Sequence, residues 1–369
     1  MASTPNPSTR DPAGTPDRRA QSARAGTGVA GLHHVALVAR DLARSADFYG
    51  RILGLAEVGS GPVPVAAMHQ AGQLREAPAR WFGGPSGRPG SLIAVVEHSD
   101  APQGAPGIGG THHFALAVRD REALLMWKRR FLDEGYAVNG ILDRHYFQSI
   151  YVKDPDSQIV ELATLGPGWT IDEAAEHIGE AHRDPPAEMI NTNRDRARIA
   201  AENWREPVRD LAPSMRIPGM HHVTAIGTSI ERTESFVAGR LGMRRVKRTN
   251  NFDDVGSFHW YWGVGNGPPG TLVTYFDRKP EREQPVRMGA GQVTHYAVAA
   301  DPDAIESLGA ALWEAGLPVS PAVEFGFEGA RFRAVATHDP DGHPVLVASV
   351  HGPTSYESGS DVPAEGSAR

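Results

Sequence analysis

The sequence predicts an α+β fold built from four βαβββ units paired into two domains. Three observations carry this. Gly31-Leu32-His33-His34-Val35 recurs as Gly219-Met220-His221-His222-Val223. Two further histidine strands follow, Thr111-His112-His113-Phe114-Ala115-Leu116 and Val293-Thr294-His295-Tyr296-Ala297-Val298. Two turns, Asp154-Pro155-Asp156 and Asp339-Pro340-Asp341, each lead into an apolar strand. Self-similarity of this kind marks one supersecondary unit used several times.

Taken in order, residues 1–29 are rich in Ser, Thr, Pro, Gly, Ala and Arg and read as a disordered tail. They lack the roughly 7–15-residue apolar core of a secretory signal. The four units lie near 30–100, 110–166, 218–278 and 291–351. In units one and three the histidine strand is followed by a short amphipathic stretch ending in Leu-Gly, Ser45 to Gly54 and Thr233 to Gly242. In units two and four it precedes the helical stretches 122–134 and 304–315, each ending in Gly. Pro and Gly at the Asp-Pro-Asp turns favour tight reversal before strands 159–164 and 345–350. Units one and two are expected to form a first domain, 30–166, and units three and four a second, 218–351. Between them, 167–217 is expected as a helical linker. Its stretch 191–208 carries mixed-sign charge, which on a helix usually faces water. Residues 352–369 read as a second disordered tail.

Composition narrows the function. At 369 residues the chain has room for two or three domains with buried cores. Lys+Arg number 37 against 44 Asp+Glu, a net charge of −7, which argues against a chain made to coat nucleic acid or an anionic membrane. No apolar run reaches the roughly 18 residues of a transmembrane helix. There is no cysteine, so disulfides, thiolate metal sites, iron–sulfur clusters and a cysteine nucleophile are excluded. A cytoplasmic protein is expected. Sixteen histidines remain as ligands or bases.

Period-two alternation sorts the strand residues by face. His34 shares a face with Ala36 and Val38, and His113 with Ala115 and Ala117. Glu161 shares one with Ile159 and Ala163. A carboxylate inside an apolar strand is costly unless paired or bound to a cation. Glu161 is therefore either a salt-bridged edge residue or a ligand, and small neighbours around His113 leave room for one. The units are not equivalent: seven residues after Asp154 stands Glu161, but seven after Asp339 stands Leu346. Glu97 is either a ligand or a strand-end surface charge, and Asp277 takes its matching position in unit three.

This pattern of histidine strand, helix, three strands and late Glu resembles the vicinal oxygen chelate superfamily, which includes glyoxalase I, extradiol dioxygenases and bleomycin-resistance proteins. The resemblance covers about 30–351 and implies cupped mixed sheets around a divalent metal. A closer likeness is to the ring-cleaving, hydroquinone-type dioxygenases. Asp143-Arg144-His145-Tyr146-Phe147-Gln148-Ser149-Ile150-Tyr151, with Glu161–Thr164 and Gly166–Glu173, resembles their C-terminal domain. His221–Ala225, Thr249–Asp254, Phe258–Gly263 and Pro269–Thr271 resemble their N-terminal domain. The two domains thus stand in swapped order.

The resemblance implies metal ligands His222, His113 and Glu161, a facial triad that suits non-heme Fe(II), with Mn(II) served by the same donors. It implies O2 as co-substrate and oxygenative cleavage of an aromatic diol. It places His221, Thr224, Arg144 and Tyr151 around substrate and oxygen. His221 or Tyr151 would serve as acid and Arg144 would meet developing negative charge. His112 falls behind the ligands. In a regular strand His112 and His221 would point away from their neighbours. His259 is open between packing and pocket. A second grouping of His34, His295 and Glu97 lacks a counterpart of Glu161 and reads as vestigial. The partner is a small aromatic diol, with no nucleic acid or membrane, and homo-oligomerisation stays open. Two other readings remain: a glyoxalase- or epimerase-type metal enzyme, which wants a fourth protein ligand, or a non-catalytic protein that binds small aromatics.

Overall fold

The computed structural model describes residues 28–66 and 74–350. The expected tails, 1–29 and 352–369, fall outside it except for residues 28 and 29. Unit one comprises β1 (Val29–Ala39), α1 (Leu42–Ala46) running into a π-helical turn Asp47–Ile52, β2 (Ala56–Ala66), β3 (Leu74–Gly83) and β4 (Leu92–Glu97). Unit two comprises β5 (Gly110–Val118), α2 (Arg121–Asp133), β6 (Asn139–Asp143), β7 (Gln148–Lys153) and β8 (Ile159–Thr164). After a linker containing α3 (Arg196–Ala201), unit three comprises β9 (Met220–Gly227), α4 (Ile230–Val237), β10 (Arg244–Asn251), β11 (Asp254–Gly263) and β12 (Leu272–Asp277). Unit four comprises β13 (Val293–Ala300), α5 (Ile305–Glu314), β14 (Val323–Phe327), β15 (Ala330–His338) and β16 (Pro344–Ser349). The βαβββ repeat is present four times, and the fold is α+β as the sequence predicts.

Sheet pairing crosses the halves of the chain. One eight-stranded sheet runs β14-β15-β16-β13-β1-β4-β3-β2 and joins unit four to unit one. The other runs β10-β11-β12-β9-β5-β8-β7-β6 and joins unit three to unit two. The grouping of units one with two and three with four, expected from the linker position, does not describe the sheets. The histidine strands cause this. β1 and β13, like β5 and β9, lie antiparallel at the centre of a sheet, where both edges of each strand find partners. Units one and two meet instead on their helix sides, where Phe48 stacks on Phe131 at 6.4 Å.

Alternation decides what each face buries. Val35, Leu37, Ile93, Val95, Val345 and Val347 point to the helix side and share one core with Phe114, Leu116, Val160 and Leu162 of the second sheet. Ala36, Leu92, Ala94, Ala297 and Leu346 point into the first cup, against Trp81, Phe325, Phe327 and Phe332. That cup closes on itself. At its outer edges β2 approaches β14 so tightly that a Cβ on Gly61 would lie 2.1 Å from the Gly326 carbonyl oxygen. The second cup holds a smaller apolar cluster, including Ala115, Ala163, Phe147, Tyr261 and Trp169, which leaves part of its interior to polar side chains.

The linker is more than a solvated helix. Only six of its residues, Arg196–Ala201, are α-helical. The remainder wraps the second sheet and packs against it. Trp169, Ile178, Val208, Met215 and Ile217 are buried, and the fully buried Lys247 reaches Asp172 at 2.5 Å and Glu173 at 2.6 Å. Charge on this segment is spent on tertiary pairs that a helical projection does not display.

The Asp-Pro-Asp turns repeat atom for atom. Asp154 Oδ1 accepts from the backbone N–H groups of Asp156 and Gln158, and its Oδ2 from the Tyr49 hydroxyl at 2.9 Å. Asp339 Oδ1 accepts from Asp341 and His343, and its Oδ2 from the Tyr275 hydroxyl at 3.0 Å. Burial pushes the carboxyls up, to about 6 for Asp154 and about 7 for Asp339, although the hydrogen bonds pull the other way. An acid whose folded pKa exceeds its unfolded value holds its proton more tightly when folded. Its stabilising contribution is complete below about pH 4 and is lost as the pH rises through about 7. In Asp339→Asn the amide oxygen still accepts the two N–H bonds, but nothing titrates. The urea midpoint of the native chain should therefore fall relative to that of Asp339→Asn between pH 4.5 and 7.5. Parallel pH profiles would refute this.

Candidate metal centre

The central ladder of the second sheet is irregular at two places, and both fall on histidines. His113 pairs with Thr224 and Ala115 with His222, but His112 and His221 have no partner in the register. Each is the extra residue of a β-bulge, which turns its side chain away from the strict alternation of a regular strand. The expectation that they point away from their neighbours is therefore not met. His112 Nδ1 lies 2.7 Å from His113 Nδ1, and His221 Nδ1 lies 2.9 Å from His222 Nδ1. The other ring nitrogens of His113 and His222 face each other at 3.2 Å across the strand pair.

Glu161 completes this group from β8, where it pairs with Ala115. Its Oε2 lies 2.8 Å from His113 Nε2 and 3.3 Å from His222 Nε2. One ligand atom from each residue falls within 4.8 Å of the others, and all three side chains are buried. Neither Glu161 oxygen has a hydrogen-bond partner beyond these imidazoles. Burial works against its charge, but the imidazoles of His222 and His113 outweigh it and hold the carboxyl well below the usual range. Burial also lowers the pKa of His113. An ionised carboxylate beside two buried imidazoles is a donor set for a divalent cation, and its N2O composition fits the facial-triad type.

The hydrogen bonds fix one tautomer by elimination. Burial above all lowers the His221 pKa to about 3, so the ring is neutral. Its Nε2 lies 3.1 Å from the Thr164 carbonyl oxygen, which can only accept. Nε2 therefore carries the proton and Nδ1 accepts. His222 must then donate from Nδ1, and its Nε2 is the nitrogen that faces the centre. Outer partners of this kind set ligand orientation and basicity. His221 is committed on both nitrogens. It lines a neighbouring cleft of about 600 Å³ with Phe147 and Trp169, rather than the pocket above the triad.

The structure brings the other expected residues to this centre. Thr224 Oγ1 lies 3.0 Å from His113 Nε2. Tyr151, from β7, stands edge-on to His113 at 5.8 Å. Arg144 donates from its terminal nitrogen to the Tyr151 hydroxyl at 3.0 Å. Burial dominates in raising the Tyr151 pKa, so the phenol keeps its proton. Burial opposes the charge of Arg144, yet Tyr151 and Asp253 outweigh it and raise its pKa.

Several pocket residues were not singled out from the sequence. Thr274 Oγ1 lies 2.8 Å from Thr224 Oγ1 and 2.9 Å from His259 Nε2, and the Tyr261 hydroxyl lies 2.9 Å from His259 Nδ1. His259 therefore belongs to the pocket wall. The signal was the alternation in β11, where His259 and Tyr261 share a face opposite Trp260 and Trp262. Asn251, Phe252 and Asp253 form the rim. Their position depends on the β10–β11 turn, for which no local pattern gives a direction.

The second histidine grouping is different. His34 Nε2 lies 3.0 Å from His295 Nε2, in the same relation as the His113–His222 pair. Leu346 pairs with Ala297 in the register where Glu161 pairs with Ala115, so an apolar side chain takes the carboxylate's place. Glu97 does not join the pair. It is exposed and accepts from the Leu42 backbone N–H at the start of α1. Glu161→Ala and His113→Ala should each abolish retention of Fe(II) or Zn(II), by more than the roughly 10–100-fold that loss of an outer partner costs. His34→Ala should leave metal content unchanged. Metal analysis after desalting checks all three, and loss in His34→Ala would point to the other cup.

Residues 31–162 match the model of the Glyoxalase/Bleomycin resistance protein/Dioxygenase superfamily. Among curated relatives, a Bacillus subtilis protein described as "Putative ring-cleaving dioxygenase MhqA" is 38% identical over 94 residues, 26% of this chain and 30% of that protein. A chlorohydroquinone/hydroquinone 1,2-dioxygenase of Sphingobium indicum is 35% identical over 82 residues, 21% of this chain and 25% of that protein. The chain thus spans less than a third of the length of these relatives. Among solved structures, a dioxygenase-like protein from Bacillus subtilis superposes with a TM-score of 0.63 at 19% identity, over 89% of this chain and 88% of its own, a likeness of fold alone. Four βαβββ units lie in two curled sheets, and residues 31–162, which hold the first two of them, carry the match to the glyoxalase, bleomycin resistance and dioxygenase superfamily, the vicinal oxygen chelate proteins.

Proposed function

We propose that this chain is a metal-dependent dioxygenase that cleaves the ring of a hydroquinone- or catechol-type aromatic diol with O2. The observation that carries the reading is the buried His113–Glu161–His222 group, three donors converging at the floor of a pocket walled by aromatic rings and a buried arginine. Partial likeness to proteins named as ring-cleaving and hydroquinone dioxygenases supports the substrate class. The three protein donors are assigned to Fe(II), and Mn(II) suits the same set. When bound, Fe(II) lowers the pKa of a phenolic hydroxyl and provides open positions where diol and oxygen meet.

The chain's own groups supply the rest. His221 holds the proton on His222 Nδ1 and so keeps Nε2 available as a ligand. Thr224 and Thr274 continue the hydrogen-bonding from His113 to His259 and fix the ring planes. Phe147, Phe276 and Tyr261 line the pocket, whose cavity of about 20 Å³ has to widen at its rim to admit an aromatic ring. Tyr151 is the proton donor in this reading. Its phenol stays protonated, and the bond from Arg144 occupies a lone pair of its oxygen while leaving the O–H free to point into the pocket. Arg144 also places a fixed positive charge where negative charge develops on oxygen during ring opening. His221 is a positioning residue here, because both of its nitrogens are engaged.

Oxygen consumption by anaerobically purified, Fe(II)-loaded protein tests the assignment, with hydroquinone, methylhydroquinone and catechol offered in turn. Uptake matched to loss of aromatic absorbance is expected. Bound metal with no uptake from any diol would replace this reading with an oxygen-independent isomerase. Given uptake, Tyr151→Phe should lower kcat by about 10²–10⁴-fold, the usual worth of a positioned acid, with a smaller change in KM. Unchanged kcat would remove Tyr151 from the role of acid.

A further inference from the structure

Arg144 stands in a pocket whose floor carries an ionised carboxylate. A mobile guanidinium there would pair with Glu161 and compete with a cation for it. What restrains Arg144 comes from two segments outside the β6–β7 hairpin that carries it. Its terminal nitrogen lies 2.9 Å from Asp253 Oδ2, on the β10–β11 turn. The other Asp253 oxygen is held at 2.6 Å by Arg194, from the linker. Arg194 is braced in turn, since its Nε donates to the Met189 carbonyl at 2.8 Å. The turn and linker are also joined through the backbone, with the Asn191 N–H donating to the Phe252 carbonyl at 2.9 Å. Asp253 is two-fifths exposed, while the Arg144 and Arg194 side chains are 11% and 6% exposed. The carboxylate sits at the mouth of the pocket with a buried guanidinium on each side.

We infer that Asp253, fixed by Arg194 of the linker, is a positioning residue that holds Arg144 against Tyr151 and away from Glu161. It rests on the reading of His113, Glu161 and His222 as a metal centre. The geometry explains three features together. One carboxylate serves two guanidiniums, so removing it leaves two like charges without an ion pair among the described residues. Arg144 reaches both the Tyr151 hydroxyl and Asp253 Oδ2 from the same terminal nitrogen, so the carboxylate and the phenol are held by one group. The linker, which adds nothing to the metal ligands, contributes the outer clamp of the pocket.

The experiment measures Zn(II) affinity of the full chain by competition with a chromophoric chelator, beside far-UV circular dichroism to verify folding. Asp253→Asn should weaken Zn(II) binding by about ten-fold, the scale on which outer partners act. Adding Arg144→Gln to Asp253→Asn should restore native affinity, because the competing cation is gone. Asp253→Glu should rescue most of the loss, and Arg194→Gln should reproduce part of it. Arg194→Gln with and without Arg144→Gln carries the same test if Asp253→Asn does not fold. Native affinity in folded Asp253→Asn, or a deficit that persists after removal of Arg144, would overturn the inference, since a merely structural turn residue has no reason to be rescued by a second deletion. No substrate is needed. A protein that shows this rescue but consumes no oxygen would retain the positioning role and lose the ring-cleaving assignment.

Discussion

A carboxylate buried in the middle of a sheet costs several kcal/mol unless charge or hydrogen bonds are brought to it. Glu161 is in that position, and much of the second cup is arranged around it. Two imidazoles approach it from strands of different units, which requires β5 and β9 to lie side by side. Their antiparallel pairing joins units two and three into one sheet. The equivalent pairing of β1 with β13 follows the same geometry, but without a carboxylate its cup is filled by Trp81, Phe325 and Phe332 and closed along Gly61. One substitution in the repeat, Glu to Leu, separates an interior that must stay polar from one that packs as ordinary core.

The histidine pairs add a second level of control. A bulge at His112 and another at His221 bring each extra imidazole against the histidine beside it. Since His221 is neutral and tied to a backbone carbonyl, proton positions are set along the chain from Thr164 to His222. A hydrogen-bonded run through Thr224, Thr274, His259 and Tyr261 does similar work on the opposite wall. Fully partnered networks of this kind rigidify a site, because every displaced group leaves a buried donor or acceptor unsatisfied.

Charge at the rim is handled by a different device. Arg144 lies near enough to Glu161 for their charges to interact, yet it is directed outward by Asp253. The linker completes that restraint and also packs Trp169 and Ile178 against the sheet that carries the site. A segment between two repeats thereby becomes part of the wall of one of them.

Much was legible in the sequence because it follows from period and composition. Alternation put His113 with Ala115 and Glu161 with Ala163 on one face, and the recurring Gly-x-His-His-Val and Asp-Pro-Asp motifs marked the units. The absence of a carboxylate at Leu346 distinguished the two cups. What local pattern could not supply was any feature that depends on residues far apart in the chain. Bulges arise from the register between β5 and β9, so a single strand read alone sends His112 and His221 to the wrong side. The fate of Glu97 was decided by the start of α1, and that of Arg194 by a turn 59 residues away. The sequence by itself determined which side chains face inward, because side-chain direction in a strand is a local property of the backbone. Tertiary structure alone decided which inward faces meet and how their protons are shared, because those depend on strand register and on distances that no spacing along the chain encodes.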